Sequence, residues 1–303
     1  MSPNRAASLG ILVGLAVLFL KLAAAYWSGS VAVFSDALET VVNVATALLA
    51  AWAVHYAARP ADATHPFGHT KAEYLAAVVE GVLIVLAAGA ILWRALGRFL
   101  HPAGVEALFP TSLLLLIATL LNGAWGLYLL RLGRRARSAV LTAEAWHLLT
   151  DLFTTLGVLF GLWLARALNA WWLDPLMGVL IAAWVVAVGV RLLGRSLGGL
   201  LDAALDPEDQ AAIEGAVAEA MAGAIEVHDL RTRRAGSRAF VELHLVVPAG
   251  MTVEEAHAIA DRIETAVQRV YPGAEVTVHV EPEGEAQHRG IRPARNHPPG
   301  RAR

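Results

Sequence analysis

Apolar positions run almost unbroken through residues 7–198 and then give way to a charged, alternating pattern. Six apolar runs stand out, near residues 7–27, 31–57, 74–99, 108–130, 140–165 and 175–198. Each supplies the roughly 20 mostly apolar residues that a helix needs to span a bilayer. Short polar stretches separate them. Trp27-Ser28-Gly29-Ser30 reads as a tight turn, which makes the first two helices a hairpin. The first run has some look of a signal peptide, with Arg5 ahead of Leu9 to Leu20 and Ala23-Ala24-Ala25 behind. Lys21 stands where a cleavage region should be small and neutral, and more spans follow, so the run is read as a membrane helix.

Near Asp206-Pro207 the period changes. Pro207 suits a first helical position, and 208–222 carries acidic residues in its first turn with an apolar stripe behind them. Residues 225–233 and 239–247 alternate like strands, 252–270 return to helical period, and 274–281 alternate again. The expected fold is an all-α six-helix membrane domain over 1–203, then a small two-layer αββαβ domain over 204–283. From Gly284 to Arg303 the chain is rich in Pro, Arg and Gly, and no fixed structure is expected there.

Composition sharpens this picture. The chain is 57% hydrophobic and its mean hydropathy is +0.54, above an ordinary soluble domain. Its net charge of -2 gives no electrostatic footprint for nucleic acid. The absence of cysteine removes disulfides, thiolate nucleophiles, iron–sulfur clusters and Cys-based zinc sites. It also argues against a soft monovalent cargo such as Cu(I). If the N-terminus is cytoplasmic, that side holds Arg5, Arg59, Lys71, Arg131, Arg134, Arg135, Arg137, Arg191 and Arg195, against Arg94, Arg98 and Arg166 opposite. The positive-inside rule then places both termini in the cytoplasm of a multi-pass protein of the cell (inner) membrane. Tyr26-Trp27 and Trp171-Trp172 fall at the outer boundaries, where an aromatic belt would sit.

Ionisable residues in the bilayer are costly and point to function. Glu39 and Asn43 stand four apart in the second run, and His147 and Asp151 four apart in the fifth. Four residues is about one turn, so each pair shares a helix face. Two such faces brought together offer two carboxylates, an amide oxygen and an imidazole, a workable shell for a four-coordinate divalent ion. Metal binding would displace protons from these groups, which couples ion and proton. The plainer alternative is interhelical hydrogen bonding. Glu144, three before His147, is placed to orient the imidazole, and Asp36 is a competing ligand to Glu39. Lys21 is expected to pair with a carboxylate; Glu80 and Asn122 are intramembrane without an assigned role.

At His147-x-x-x-Asp151 and the loop Asp62-Ala63-Thr64-His65-Pro66-Phe67-Gly68-His69-Thr70-Lys71-Ala72-Glu73 the chain resembles the cation diffusion facilitator family. Its bacterial zinc/iron-type proton antiporters are the nearest likeness, over about residues 7 to 283. The histidine layout after residue 225 completes the resemblance. It implies six membrane helices, an αββαβ metallochaperone-like cytoplasmic domain and a homodimer joined through that domain and the membrane helices. It places the transport site on Glu39, Asn43, His147 and Asp151, although those antiporters carry Asp-x-x-x-Asp where this chain has Glu39-x-x-x-Asn43. It assigns a second metal site to Asp62, His65 and His69, whose spacing would converge on one face if the segment were helical. It assigns a binuclear site to His228, His244, His257, His279 and Glu281, with His257 in the bridging position and Glu281 where the family usually has Asp. Lys71 and Asp202 match a charge interlock, with Arg59 and Asp206 as alternative partners. Without the resemblance, the tail histidines read equally as solvated surface, and a solvated loop is the lesser alternative for Asp62, His65 and His69.

These readings converge on a secondary transporter that exports a divalent transition metal for protons by alternating access. Zn²⁺ is the expected ion, as substrate and as structural or regulatory ligand; Fe²⁺, Co²⁺, Ni²⁺ and Mn²⁺ remain open. The competing reading is a membrane-anchored metal sensor that does not transport. A membrane hydrolase built on Glu144, His147 and Asp151 lacks an intramembrane nucleophile or a metalloprotease-type helix motif.

Overall fold

The computed structural model describes residues 3–101, 103–136, 139–236 and 238–293. Six long helices come first: α1 (Pro3–Ser28), α2 (Val31–Ala57), α3 (Ala72–Leu100), α4 (Leu108–Ala136), α5 (Ala139–Ala167) and α6 (Leu173–Leu200). Among the described residues all six are long and apolar enough to cross a membrane. They match the expected runs and extend most of them by a turn or less, because flanking polar residues continue a helix that apolar patterning cannot mark.

The chain forms two compact units. The first takes residues up to Trp52 and Ala76–Leu193. In it α4 packs on α1 and α5, around a core of Ala24, Ala37, Leu115, Val158 and Leu162. A second cluster, Val31, Ala88, Ile91, Ala95 and Ala182, joins α2, α3 and α6. Glycine lets α3 and α6 approach closely. A Cβ on Gly81 would come within 2.7 Å of Leu193, and one on Gly189 within 2.8 Å of Ile84.

Polar side chains fix this unit at two points. The buried Asp174 carboxylate accepts from the Val31 and Ala32 amides at 2.9 and 3.1 Å and from the Ser30 hydroxyl at 2.5 Å. A carboxylate from α6 thus caps the N-terminus of α2 and satisfies amides that a helix start leaves orphaned. The expected pairing of Lys21 is also present. Its Nζ lies 2.9 Å from Asp36 Oδ1, with both side chains at most 3% exposed.

The second unit takes Ala53–Leu75 and everything from Gly194. It contains α7 (Pro207–Ala220), β1 (Glu226–Ala235), β2 (Arg238–Val247), α8 (Val253–Val270) and β3 (Ala274–Pro282). The sheet order is β1-β2-β3, antiparallel then parallel. Ala239, Val241, Leu243, Leu245 and Val247 point to one face and meet Ile213, Val217, Ile259 and Ile263 from the helices. A reciprocal Thr252–Glu255 capping box starts α8. The six-helix bundle followed by an αββαβ domain is the architecture the periodicity implied.

The segment after Gly284 differs from expectation in part. A 3₁₀ turn spans Glu283–Glu285, and Ile291 bridges to Val227 in β1. The reason is local: Ile291 packs on the domain core, and the Gln287 and His288 amides donate to the buried Glu226 carboxylate. Residues 294–303 lie outside the described residues.

In the same unit the loop before α3 lies against the sheet. Phe67 meets Phe240 edge-on at 5.7 Å, and the Arg233 guanidinium sits 4.3 Å from the Phe240 ring and 5.5 Å from that of Phe67. Gly236, at φ +61°, allows the contact: a Cβ there would meet the Thr70 carbonyl oxygen at 2.5 Å.

Candidate metal centres

The membrane unit holds a cavity of about 670 Å³ whose wall includes Asn43, Glu80, Asn122, Trp125, His147 and Asp151. Helical spacing puts His147 over Asp151, with Nε2 and Oδ2 4.0 Å apart. That separation allows both atoms to reach one ion at about 2.0–2.2 Å. Asp151 is buried, whereas the His147 side chain is half exposed. The buried Asn43 amide nitrogen has no hydrogen-bond partner; turning the amide would present its oxygen there instead. Glu39 stands beside this wall, within electrostatic reach of Asp151, Asp36, Lys21 and His147.

Asp36, weighed as a competing ligand, is engaged elsewhere. Its Oδ1 accepts from Lys21 at 2.9 Å and from Thr155 at 2.9 Å. Thr155 is one turn beyond Asp151, so this carboxylate ties α1, α2 and α5 together next to the site. The i,i+4 step from Asp151 to Thr155 could have flagged it. The side chain of Glu144 lies outside the described residues.

Asp62, His65 and His69 come together in the second unit, with their ligand atoms within 4.8 Å of one another. They do so without a helix. Pro66 and Gly68 interrupt that segment, and an Asx turn replaces it. Asp62 Oδ1 accepts from the Thr64 amide and hydroxyl and the His65 amide at 2.7–2.8 Å. Oδ2 is left 3.4 Å from His69 Nε2. The Thr64 hydroxyl, then the His65 amide, hold this carboxyl well below the usual range, so it stays ionised. His69 is buried against the edge of Tyr56 at 4.9 Å, and its Nδ1 has no hydrogen-bond partner.

In the tail domain, register does what sequence spacing cannot. His228, His244 and His279 are directly paired across β1, β2 and β3, on the face opposite the apolar core. Glu281, two residues along β3, lies among them. Its Oε2 is 3.1 Å from His228 Nε2, and its Oε1 is 2.8 Å from His244 Nδ1 and 3.8 Å from His279 Nε2. His257 is not brought into this row. It sits on α8, 73% exposed, facing Asp261 at 3.7 Å.

Besides Thr155, three residues near these sites escaped the sequence reading. Glu226, 1% exposed, places Oε1 3.4 Å from His228 Nδ1; its position two before His228 on one strand face was the available signal. Asp229 joins His228 and His244 in a metal-sized group, because a bulge between His228 and Arg231 turns the chain there. Arg233 shares Asp202 with Lys71: Lys71 Nζ and Arg233 Nη1 lie 2.8 and 3.1 Å from the same oxygen.

Family models match both parts of the chain. The model of the cation efflux transmembrane domain matches residues 7–201, and that of the cation efflux protein cytoplasmic domain matches 205–283. An uncharacterized transporter of Synechocystis is 39% identical over 91% of this chain and 89% of its own. The cation-efflux pump FieF of Shewanella oneidensis is 32% identical over 90% and 91%. The metal-bound C-terminal domain of the CzcD transporter from Thermotoga maritima is 29% identical over 27% of this chain and 100% of its own, with a TM-score of 0.25. With six membrane helices, the tail domain and family matches over residues 7–201 and 205–283 in place, the chain belongs to the cation efflux family, the cation diffusion facilitators: it is a multi-pass transporter of divalent metal cations and not an enzyme.

Proposed function

We propose that this protein exports a divalent transition metal, Zn²⁺ first, in exchange for protons. Glu39, Asn43, His147 and Asp151 form the transport site. The observation that carries this reading is the shared cavity wall, where α2 presents Asn43 and α5 presents His147 and Asp151. Imidazole and carboxylate without thiolate suit Zn²⁺. Glu39, His147 and Asp151 can each release a proton as the ion binds and recover one after it leaves; Asn43 cannot. Both termini face the cytoplasm, and alternating access carries the ion from that side outward.

The remaining sites serve regulation in this reading. Residues 204–283 form a cytoplasmic domain whose histidine row takes metal and joins two copies of the chain, and Asp62, His65 and His69 hold a further ion. Metal bound there biases the transport equilibrium by its differential affinity for the two states. Light scattering of the purified protein with and without zinc reads the dimer.

The test is zinc-dependent proton flux in vesicles reconstituted with the full chain. Asp151→Ala should abolish exchange, a fall of at least about a hundredfold, because it removes an anionic ligand whose charge nothing replaces. Unchanged flux would sink the site assignment. Zinc binding without any flux in the parent protein would favour the sensor reading.

A further inference from the structure

The cavity wall carries a carboxylate that the proposed site does not use. Two acidic residues line this cavity, Asp151 on α5 and Glu80 on α3. Its other polar lining residues, Asn43, Asn122, His147, Thr40 and Thr46, are neutral or can be. A divalent cation held in a low-dielectric cavity needs two negative charges for balance. Glu39 is nearby but does not line the wall. We propose that Glu80 is a further cargo-binding carboxylate, which with Asp151 gives the ion two negative charges on the cavity wall itself, before it reaches Glu39.

Depth along the helices supports this placement. Glu80 stands eight residues into α3, and His147 eight residues into α5. At 1.5 Å per residue each is about 12 Å from its helix start. By alternation of the spans, α3 and α5 begin on the same side of the membrane. Asp151 is one turn deeper, about 18 Å along α5. Glu80 and His147 thus form the level of the cavity nearer the helix starts, the cytoplasmic side in the proposed topology, with Asp151 one turn deeper. Glu80 makes no hydrogen bond or ion pair among the described residues. A half-buried carboxylate on a cavity wall, without a protein partner, is open to a cation. An arriving ion meets Glu80 and His147 first, and passes inward with His147 held in common to Asp151.

This inference rests on the transport reading, and its test separates the two. Zn²⁺ flux is measured against zinc concentration in vesicles holding the full chain, Glu80→Gln, Asn43→Asp, the Glu80→Gln/Asn43→Asp double variant and Asp151→Ala. Glu80→Gln keeps size and polarity and removes the charge. It should raise the half-saturating zinc concentration about tenfold or more. The double variant returns a carboxylate to the same wall and should recover most of that loss, which also shows that a chain carrying Glu80→Gln folds. A half-saturating concentration unchanged by Glu80→Gln overturns the inference, as does a double variant no better than the single one. If Asp151→Ala transports normally, the site reading itself has failed, whatever Glu80 does.

Discussion

Between α2 and α5 the ligand candidates stand on separate helices whose relative depth no backbone hydrogen bond dictates. In the tail domain the corresponding row is set by the backbone itself, since β1, β2 and β3 pair His228, His244 and His279 at one register. The consequences show in the geometry. In the membrane unit Asn43 of α2 and His147 and Asp151 of α5 share only a cavity wall, whereas Glu281 is already within 2.8 and 3.1 Å of two imidazoles. A site that must bind and release an ion benefits from ligands that can separate. A site that holds metal to regulate or dimerise benefits from ligands that are pre-placed. Side-chain anchors therefore matter more in the membrane unit, where Asp36 joins α1, α2 and α5.

That difference is broken most directly at Lys21. Lys21→Met leaves Asp36 charged, buried and, among the described residues, held only by Thr155, which should cost about 3–5 kcal/mol. Thermal unfolding of the protein in detergent reads it, and zinc flux should fall with it because α2, which carries Glu39 and Asn43, loses its tie to α1. The double variant Lys21→Met/Asp36→Leu removes both charges and should regain most of the stability. Unfolding of Lys21→Met at the parent temperature would show that the helices are set by packing alone.

The tail site should respond in the opposite way. Glu226→Gln removes the carboxylate beside His228 Nδ1 but not the ladder that positions the ring. Metal affinity should drop about tenfold, with little change in folding. The readout is the zinc concentration that half-stabilises the full chain against heat. Asp62→Ala and Asp151→Ala in the same background silence the other two sites. A large loss of stability without zinc would mean that Glu226 acts through the amides of Gln287 and His288 instead.

The same contrast explains what could be seen in the sequence. Helical faces repeat every 3.6 residues, so Glu39/Asn43 and His147/Asp151 were visible as pairs, and so were the six spans. The strands were visible by alternation. What joins elements was not: register set the order of His228, His244 and His279, and long-range contacts set Asp174 on the start of α2 and Asp36 on Thr155. The loop shows a third case. The spacing of Asp62, His65 and His69 would bring them together on a helix, while Pro66 and Gly68 favour turns. The turn chemistry won, and it gathered the residues by way of the Asp62 carboxylate.

The smallest effect concerns a second lysine–aspartate pair of nearly the same length. Lys71–Asp202 spans 2.8 Å, against 2.9 Å for Lys21–Asp36, but its side chains are 37% and 46% exposed instead of 2% and 3%. Water screens it, so it should contribute no more than about 1 kcal/mol. The Lys71 ammonium, then the Arg233 guanidinium, hold the Asp202 carboxyl below its usual range. A carboxyl lowered on folding contributes stability above its unfolded pKa of about 3.9, and that contribution disappears as pH falls through the folded value. The stability difference between the parent and Asp202→Asn should therefore be small and constant from pH 8 to 5, shrink below about pH 4, and shrink also at 1 M salt. Melting curves at these pH values give the difference. If it persists undiminished in acid, the lysine is held by the Leu200 carbonyl, and exposure, not length, no longer separates the two pairs.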